Sequence, residues 1–265
     1  MTRRSSMSIQ SASVAIVANM AITLCLGVAA CGNTDPGTLT GSAGMSGGAG
    51  SGGTGLGGAG GSGMGDVSQL LPIKTGNSWT YLVTVTGESP TPKTQTVMEQ
   101  GPVGGTGPNA GVTAFRFVTN KGLDGMDETV SWQARVGTRV VRYREQSYMR
   151  TAPHALELEE HWTPHKLRVD ESPAHMVAGA TWTETDQETK LPVGGTVLTV
   201  PVEERWTVTA ERQPVTVQGR SYEVMIVMKT STTSAKTYWW ARGIGKVKEI
   251  GDNQTEELVS YQVAP

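Results

Sequence analysis

A period-two alternation of side-chain character runs through residues 66–265 and constrains the fold more than any other feature. In the segment 79–86, the residues Trp79, Tyr81 and Val83 fall on one face, and threonines dominate the other. Such alternation is typical of a strand with one buried face. The stretch is long enough for one domain with a sizeable core.

More strands are predicted along the same stretch, where β-branched and aromatic residues alternate between Gly- and Pro-rich gaps, at 114–119, 129–134, 138–145, 206–209, 222–228, 238–240 and 258–263. No long segment has helical periodicity, and the short helix candidates are Asp66 to Leu71 and part of Ala155 to His161. We therefore predict an all-β, mainly antiparallel domain of about ten strands, folded as a curved sheet, half-barrel or sandwich with at most short helices.

One short pattern occurs twice in this domain. The sequence from Gly76 to Thr80 recurs in similar form from Gly179 to Thr183, and each copy opens a Thr-rich strand with a tryptophan. Two copies would fit two related halves, about 66–165 and 166–265. Alternatively, Gly-x-x-Trp is only a common strand opening, so the sequence predicts a single domain and leaves an internal repeat open.

The first 30 residues have the three parts of a secretory signal peptide. Arg3 and Arg4 form a basic start, an apolar middle follows, and small residues precede Cys31. The run Val28–Cys31 resembles the lipobox of bacterial lipoproteins, in which the cysteine is lipidated and becomes the first residue of the mature chain. The alternative is an ordinary signal peptide that is cleaved at the same place without lipidation.

Cleavage before Cys31 changes the charge and the cysteine count of the mature chain. Residues 1–30 contain two arginines and no acid, so the formal net charge changes from −2 to −4. Without a basic surface, we expect no nucleic-acid partner. Cys25 leaves with the signal peptide and Cys31 takes the lipid, so the folded part contains no disulfide. By resemblance to enterobacterial lipoprotein sorting, Gly32 after the cysteine implies the outer membrane, with the lipid anchor as the membrane contact.

Residues 31–65 are predicted to be the lipidated cysteine and a flexible tether. Sixteen of the 34 positions from 32 to 65 are Gly, and few large apolar residues interrupt them. Such a composition buries too little apolar surface to offset the entropy of ordering it. A coil of this length spans about 30–35 Å. A phosphate-binding loop is the alternative, but no strand precedes the glycines and no Gly-Lys-Ser/Thr follows them.

Two longer motifs resemble a group of bacterial, myxobacterial-type lipoproteins. Residues 71–81 read LPIKTGNSWTY and residues 238–248 read YWWARGIGKVK. They are similar to the Leu-Pro-x-Lys-x-Gly-Asn-x-Trp-x-Tyr and Tyr-Trp-x-Ala-x-Gly-x-Gly-x-Val-Lys stretches of that group. The resemblance covers about half of the domain. It implies an antiparallel sheet loosely like the half-barrels of lipoprotein carriers in the envelope, and it implies no established activity.

Aromatic residues of these motifs are the candidate binding residues, because aromatic rings can stack on sugars or hold an apolar ligand. They are Trp79, Tyr81, Tyr238, Trp239 and Trp240. Alternation sends one of two neighbouring tryptophans into the core, so packing is the alternative role. A carrier predicts a concave apolar face, lined by Trp79, Tyr81, Val83, Tyr222, Val224 and Ile226 and left uncovered by any helix.

The four histidines all lie between residues 154 and 175, interleaved with acids. Histidine and carboxylate side chains can bind zinc, so Glu157, His161 and His165 are candidate metal ligands. On a strand, Glu157, Glu159 and His161 would share one face. The alternative is an exposed polar strand, and we predict no cofactor.

A basic cluster directly precedes these acids: Arg135, Arg139, Arg142, Arg144 and Arg150. If the two segments form neighbouring strands, opposite charges would face each other and stabilise the pair. The alternative is a site for an anion or a lipid headgroup.

The sequence therefore supports two functional hypotheses. The first is a non-enzymatic, lipid-anchored envelope domain that binds or carries an apolar ligand or contacts an envelope protein. The second is a metal-dependent or carbohydrate-directed hydrolase that uses the histidine-rich segment 154–175. No Gly-x-Ser-x-Gly nucleophile motif occurs in the sequence, and the mature domain has no free thiol.

Overall fold

The computed structural model describes residues 69–122, 127–149 and 154–264. This part of the chain forms twelve β-strands and a single turn of 3₁₀ helix at Pro173–His175. The strands are β1 (Ser78–Val85), β2 (Thr91–Pro102), β3 (Thr113–Lys121), β4 (Asp127–Val136), β5 (Arg139–Tyr148), β6 (Leu156–Asp170), β7 (Thr181–Pro192), β8 (Leu198–Val217), β9 (Arg220–Thr230), β10 (Ala235–Ala241), β11 (Gly245–Ile250) and β12 (Gln254–Gln262). The predicted all-β, antiparallel fold is confirmed.

The strands form a closed ring in chain order. Each strand pairs antiparallel with the next, and β12 returns to pair with β1, where Tyr81 lies opposite Leu258. Every strand therefore has a partner on both sides, although β6 pairs with β7 only over Leu158–Thr163 and β11 pairs with β12 over only three residues. The curved sheet expected from the alternation is therefore a complete barrel.

One predicted helix is wrong. Residues 156–161 belong to β6, and Glu159 and Glu160 lie opposite Gln146 and Glu145 of β5. The cross-strand partners of these side chains outweigh the weak helical spacing. Of the other candidate, 66–71, residues 66–68 lie outside the described residues, and 69–71 are not helical.

Apolar residues fill the end of the barrel at which β1 begins, which we call the base. Leu70 and Leu71, directly before β1, are buried in the same core as Trp79, Val103 and Trp240. Burying such side chains is the main favourable contribution to folding. The opposite end, where β1 reaches Val85, we call the mouth.

A partly buried ion pair holds the segment before β1 on the base. The Glu171 carboxylate accepts hydrogen bonds from the backbone N–H groups of Leu70 (2.9 Å) and Leu71 (3.1 Å). Arg135 donates to the same carboxylate at 2.7 Å. The N-terminal part of the chain therefore enters the barrel at the base.

The repeated Gly-x-x-Trp pattern has the same backbone hydrogen bonds in both copies. Gly76 N–H donates to the carbonyl of Val97, and Gly179 N–H donates to that of Val208. Both glycines have a positive φ, 91° and 87°, which favours glycine. The copies open β1 and β7, six strands apart. A relation between the complete halves stays a prediction.

The predicted signal peptide, the tether and Cys31 lie outside the described residues. Among the residues that are described, no helix has the length and apolar character needed to cross a membrane.

Candidate functional site

A ring of twelve strands is wider than side chains alone fill, because eight strands already leave an interior that side chains just occupy. Two adjoining cavities of about 470 and 870 Å³ lie towards the mouth. They share the lining residues Arg142, Arg168, Lys236 and Tyr238. We call this pair the interior cavity, with a first part beside Tyr81 and a second part beside Glu204.

Three of the five predicted aromatic residues line the first part of the cavity: Tyr81, Tyr238 and Trp240. Trp79 is buried at the base, where its indole N–H donates to the carbonyl of Ile244. Trp239 is half-buried and faces away from Trp240. Most of the aromatic residues predicted from the sequence therefore line the same cavity. Their role in binding stays a prediction.

A row of rings runs from the base into the cavity. Trp182 stacks on His175 at 3.9 Å and lies 6.0 Å from Trp206, which lies 6.2 Å from Tyr238. Tyr238 in turn lies 6.0 Å from Trp240. Near-parallel rings at these distances attract one another beyond their area burial. The last two rings of the row, Tyr238 and Trp240 of β10, line the cavity. Neither Trp182 nor Trp206 was among the predicted site residues.

The first part of the cavity carries a buried network of lysine and glutamate, which we call the β11 network. Lys246 donates to Glu249 and, at 2.7 Å, to Glu256. Lys93 pairs with Glu256 from the neighbouring side. The ammonium groups of Lys93 and Lys246 lie 5.4 and 5.1 Å from the centre of the Tyr81 ring. A cation over an aromatic face is attracted to the ring, so the Tyr81 ring stabilises the positions of both lysines.

The pKa values of the two lysines shift in opposite directions. Burial lowers the pKa of Lys93 to about 8, and the charge of Lys246 acts in the same direction while Glu256 opposes it. Burial alone would also lower the pKa of Lys246, but Glu249 and Glu256 outweigh it and raise that pKa. Lys246 is therefore the fixed cation of the network. Burial also raises the pKa of Tyr81, which keeps its phenol neutral.

The second part of the cavity repeats this chemistry with different strands. Lys229 donates to Glu204 at 2.7 Å, and Lys166 lies 3.7 Å from the same carboxylate. Lys229 lies 5.4 Å from the Trp206 ring centre. Burial lowers the pKa of Lys229 to about 8. Burial also raises the pKa of Asp186 to about 6, with Lys166 opposing this and Glu204 adding to it.

The predicted apolar lining of a concave face is wrong. Tyr81 and Val83 do line the cavity, but beside the buried charges of the β11 network. Tyr222 and Val224 line a separate cavity of about 490 Å³ near the base. Alternation shows which residues share a face, but it does not show that lysine and glutamate of other strands share the enclosed space.

The predicted metal ligands do not converge. Glu157 is exposed, and the Nε2 of His161 lies 2.7 Å from Glu159. His165 lies edge-on to Tyr143, and burial lowers its pKa, with Arg139 adding to the effect. Among the described residues, no group of three His, Cys, Asp or Glu side chains is placed to hold a metal ion.

The prediction that the arginines pair with the acids that follow is confirmed for Arg135, Arg139 and Arg144, whereas Arg142 pairs with Glu145 of its own strand. Arg144 of β5 forms an ion pair with Glu159 of β6, and Gln146 donates to the same carboxylate at 2.6 Å. The loop between β2 and β3 covers this group, since a Cβ added to Gly107 would lie 2.3 Å from Nδ1 of His161. The geometry is that of a covered structural cluster. Arg135 and Arg139 pair with Glu171 and Asp170, and Arg150 lies outside the described residues.

Comparison with known proteins gives little further information. No protein-family model and no curated protein matches the sequence. A solved structure from Bacteroides fragilis, described as an exported protein with a YmcC-like fold, is similar at 11% identity and a TM-score of 0.41. The match covers 72% of this chain and 97% of that one. At this distance the likeness carries no functional argument.

Proposed function

We propose that the chain is a lipid-anchored protein of the cell envelope whose barrel binds a small polar molecule in its interior cavity without transforming it. The observation that carries the proposal is the interior cavity itself: it lies within the closed ring and is lined by buried charges and by the rings of Tyr81, Tyr238 and Trp240. Concave sites with a few convergent polar groups are the usual places for small ligands.

The walls of the cavity are held before any ligand arrives. Lys246 is fixed by two carboxylates, and Lys229 is fixed by Glu204 and by the Trp206 ring. Groups that are already ordered lose little conformational entropy on binding, which favours affinity. The pKa of Lys246 is raised and those of Glu249 and Glu256 are lowered, so these three groups keep their charges and do not exchange protons with a substrate, which favours binding over catalysis.

The position of the N-terminal segment fits an anchored binder. Glu171 holds Leu70 and Leu71 at the base, so the predicted tether joins the barrel at the end opposite the mouth. The resemblance of Val28–Cys31 to a lipobox, with Gly32 at the next position, supports a lipid on Cys31 and anchoring in the outer membrane.

Native mass spectrometry of the full chain, purified from its own envelope, tests the binding function. We expect a bound small molecule on the wild type and on Thr84→Trp, since Thr84 is exposed on β1. Val83, the residue before Thr84, lines the cavity. Val83→Trp should therefore fill part of the cavity with an indole, and we expect this variant to lose the bound molecule. A bare wild-type chain, or a molecule that remains on a folded Val83→Trp protein, would contradict the proposal.

Cell fractionation tests the anchor separately. Cys31→Ala removes the residue that the lipid would modify, so we expect the protein to leave the membrane fraction, while Cys25→Ala should have no effect. Retention of Cys31→Ala in the membrane after a salt wash would overturn the anchoring but not the binding function.

A further inference from the structure

Among the described residues that line the interior cavity, one cation lacks the carboxylate partner that the others have. Arg168 lines both parts of the cavity, and its Nε is buried without a hydrogen-bond partner. None of the ion pairs between described residues includes it. By contrast, carboxylates pair with every other lysine and arginine of the lining, namely Lys93, Lys121, Arg142, Lys166, Lys190, Lys229, Lys236 and Lys246.

Arg168 lies at the meeting point of the charge clusters. Its positive charge acts on Tyr81 in the first part of the cavity and on Lys229 in the second. It also acts on Arg142, whose own Nε is buried without a partner although its guanidinium pairs with Glu145 at 2.6 Å. Both arginines line the same space, and the Nε of each lacks a hydrogen-bond partner.

A guanidinium stays charged in a protein, so an unpaired one cannot escape the cost of burial by losing its proton. Such a group favours an anion that enters the cavity, and its planar fork of N–H donors fits the oxygens of a carboxylate or phosphate. Asp186 of β7 and Glu204 of β8 also line the cavity, and each has one buried oxygen without a partner, which disfavours a highly charged polyanion.

We propose that Arg168, with Arg142 beside it, is an oxyanion site that binds the carboxylate or phosphate group of a small organic molecule in the interior cavity. The inference rests on the proposed binding function and names the chemistry that the ligand carries. The ligand is held by its single anionic group at Arg168, and Tyr238 and Trp240 contact the rest of the molecule.

Isothermal titration calorimetry tests the site with inorganic phosphate and with acetate at constant ionic strength. The full chain is used after native mass spectrometry has shown it to be free of ligand. We expect at least one probe to bind the wild type, and the arm that responds identifies the oxyanion as phosphate or carboxylate. Arg168→Met should raise the Kd at least tenfold. The control Arg205→Met removes an exposed arginine of β8 and should change the Kd less than twofold.

A stability measurement separates a ligand site from a structural role. Without ligand, Arg168→Met should melt at a higher temperature than the wild type, because it removes an uncompensated charge. A structural arginine would give the opposite shift. Binding of neither probe to the wild type, equal binding to Arg168→Met, or a lower melting temperature of that variant would overturn the inference. A natural ligand that stays bound to Arg168→Met would overturn the inference alone and leave the binding function standing.

Discussion

Lys246→Met tests whether the buried charges of the cavity are structural partners of one another. Lys246 contacts Glu249 and Glu256, so its loss leaves two buried carboxylates short of a cation. Removing one member of a buried ion pair costs about 3–5 kcal/mol. Since Lys93 and Lys236 remain as partners of Glu256 and Glu249, we expect the lower end, about 3 kcal/mol.

The expected loss is large enough to measure with ordinary methods. In a domain of this size each kcal/mol shifts the melting temperature by about 2–4 °C, which gives a decrease of roughly 6–12 °C. Urea unfolding followed by tryptophan fluorescence gives the free energy directly. The matched control is Lys248→Met, because Lys248 pairs with the half-exposed Glu257 at 2.8 Å on the outer face. Such a pair contributes at most about 1 kcal/mol.

The stability difference between the wild type and Lys246→Met should also depend on pH in a defined direction. In the wild type, burial raises the pKa of Glu249 and Glu256, but the neighbouring lysines outweigh it and lower both pKa values. These carboxylates therefore stabilise the fold at neutral pH, and the contribution is lost in acid. Without Lys246 both pKa values rise, so the stability gap between wild type and variant should narrow as the pH falls below 7. A gap that widens in acid, or a Lys246→Met protein as stable as Lys248→Met, would refute the reasoning.

Three further changes have outcomes that the contacts determine. Gly245→Ala should cost about 1–3 kcal/mol in urea unfolding, because φ is +120° and the new Cβ would lie 2.8 Å from Nε1 of Trp79; an unchanged stability would contradict this. Gly107→Ala should cost a similar amount, since its Cβ overlaps the His161 ring, whereas Gly111→Ala, with open space around it, should stay within about 0.5 kcal/mol. As the pH rises from 4 to 7, the free energy of unfolding of Asp186→Asn should increase relative to that of the wild type. The pKa of Asp186 is raised to about 6, so the wild type loses its favourable protonated form over this range; a difference that stays constant with pH would contradict the raised pKa.

Local patterns in the sequence predicted the strands well. The alternation that begins at Trp79 became β1, and the neighbouring clusters of arginine and acid became β5 and β6, with Arg144 against Glu159. Both predictions rest on residues close in the chain. Closure of the ring was not predictable in the same way, because it depends on the pairing of Tyr81 with Leu258, far apart in sequence.

The charged interior could not be predicted because a bulge decides which way two lysines point. In β11, Lys248 lies opposite Trp239 while Lys246 lies opposite Trp240, so one extra residue separates the two pairs. A bulge of this kind turns neighbouring side chains to other faces. Lys246 therefore enters the cavity and Lys248 contacts Glu257 outside, although strict alternation assigns both to one face.

No local pattern in the sequence predicts that Arg168 lacks an ion-pair partner. It stands in β6 among residues such as Lys166 and Asp170 that do find partners. Only the assembled ring shows which cation remains without one. The two carboxyl oxygens without partners, of Asp186 on β7 and Glu204 on β8, could not be predicted for the same reason.

The central claim is that the barrel encloses a ligand site and not a fully packed core. A crystal structure of the full chain, purified from its own envelope without added ligand, tests it most directly. We predict electron density for a non-protein molecule in the interior cavity, with oxygens at the guanidinium of Arg168 and a body against Tyr238. A cavity filled by collapsed side chains, or by water alone in a protein whose native mass shows no ligand, would contradict the account.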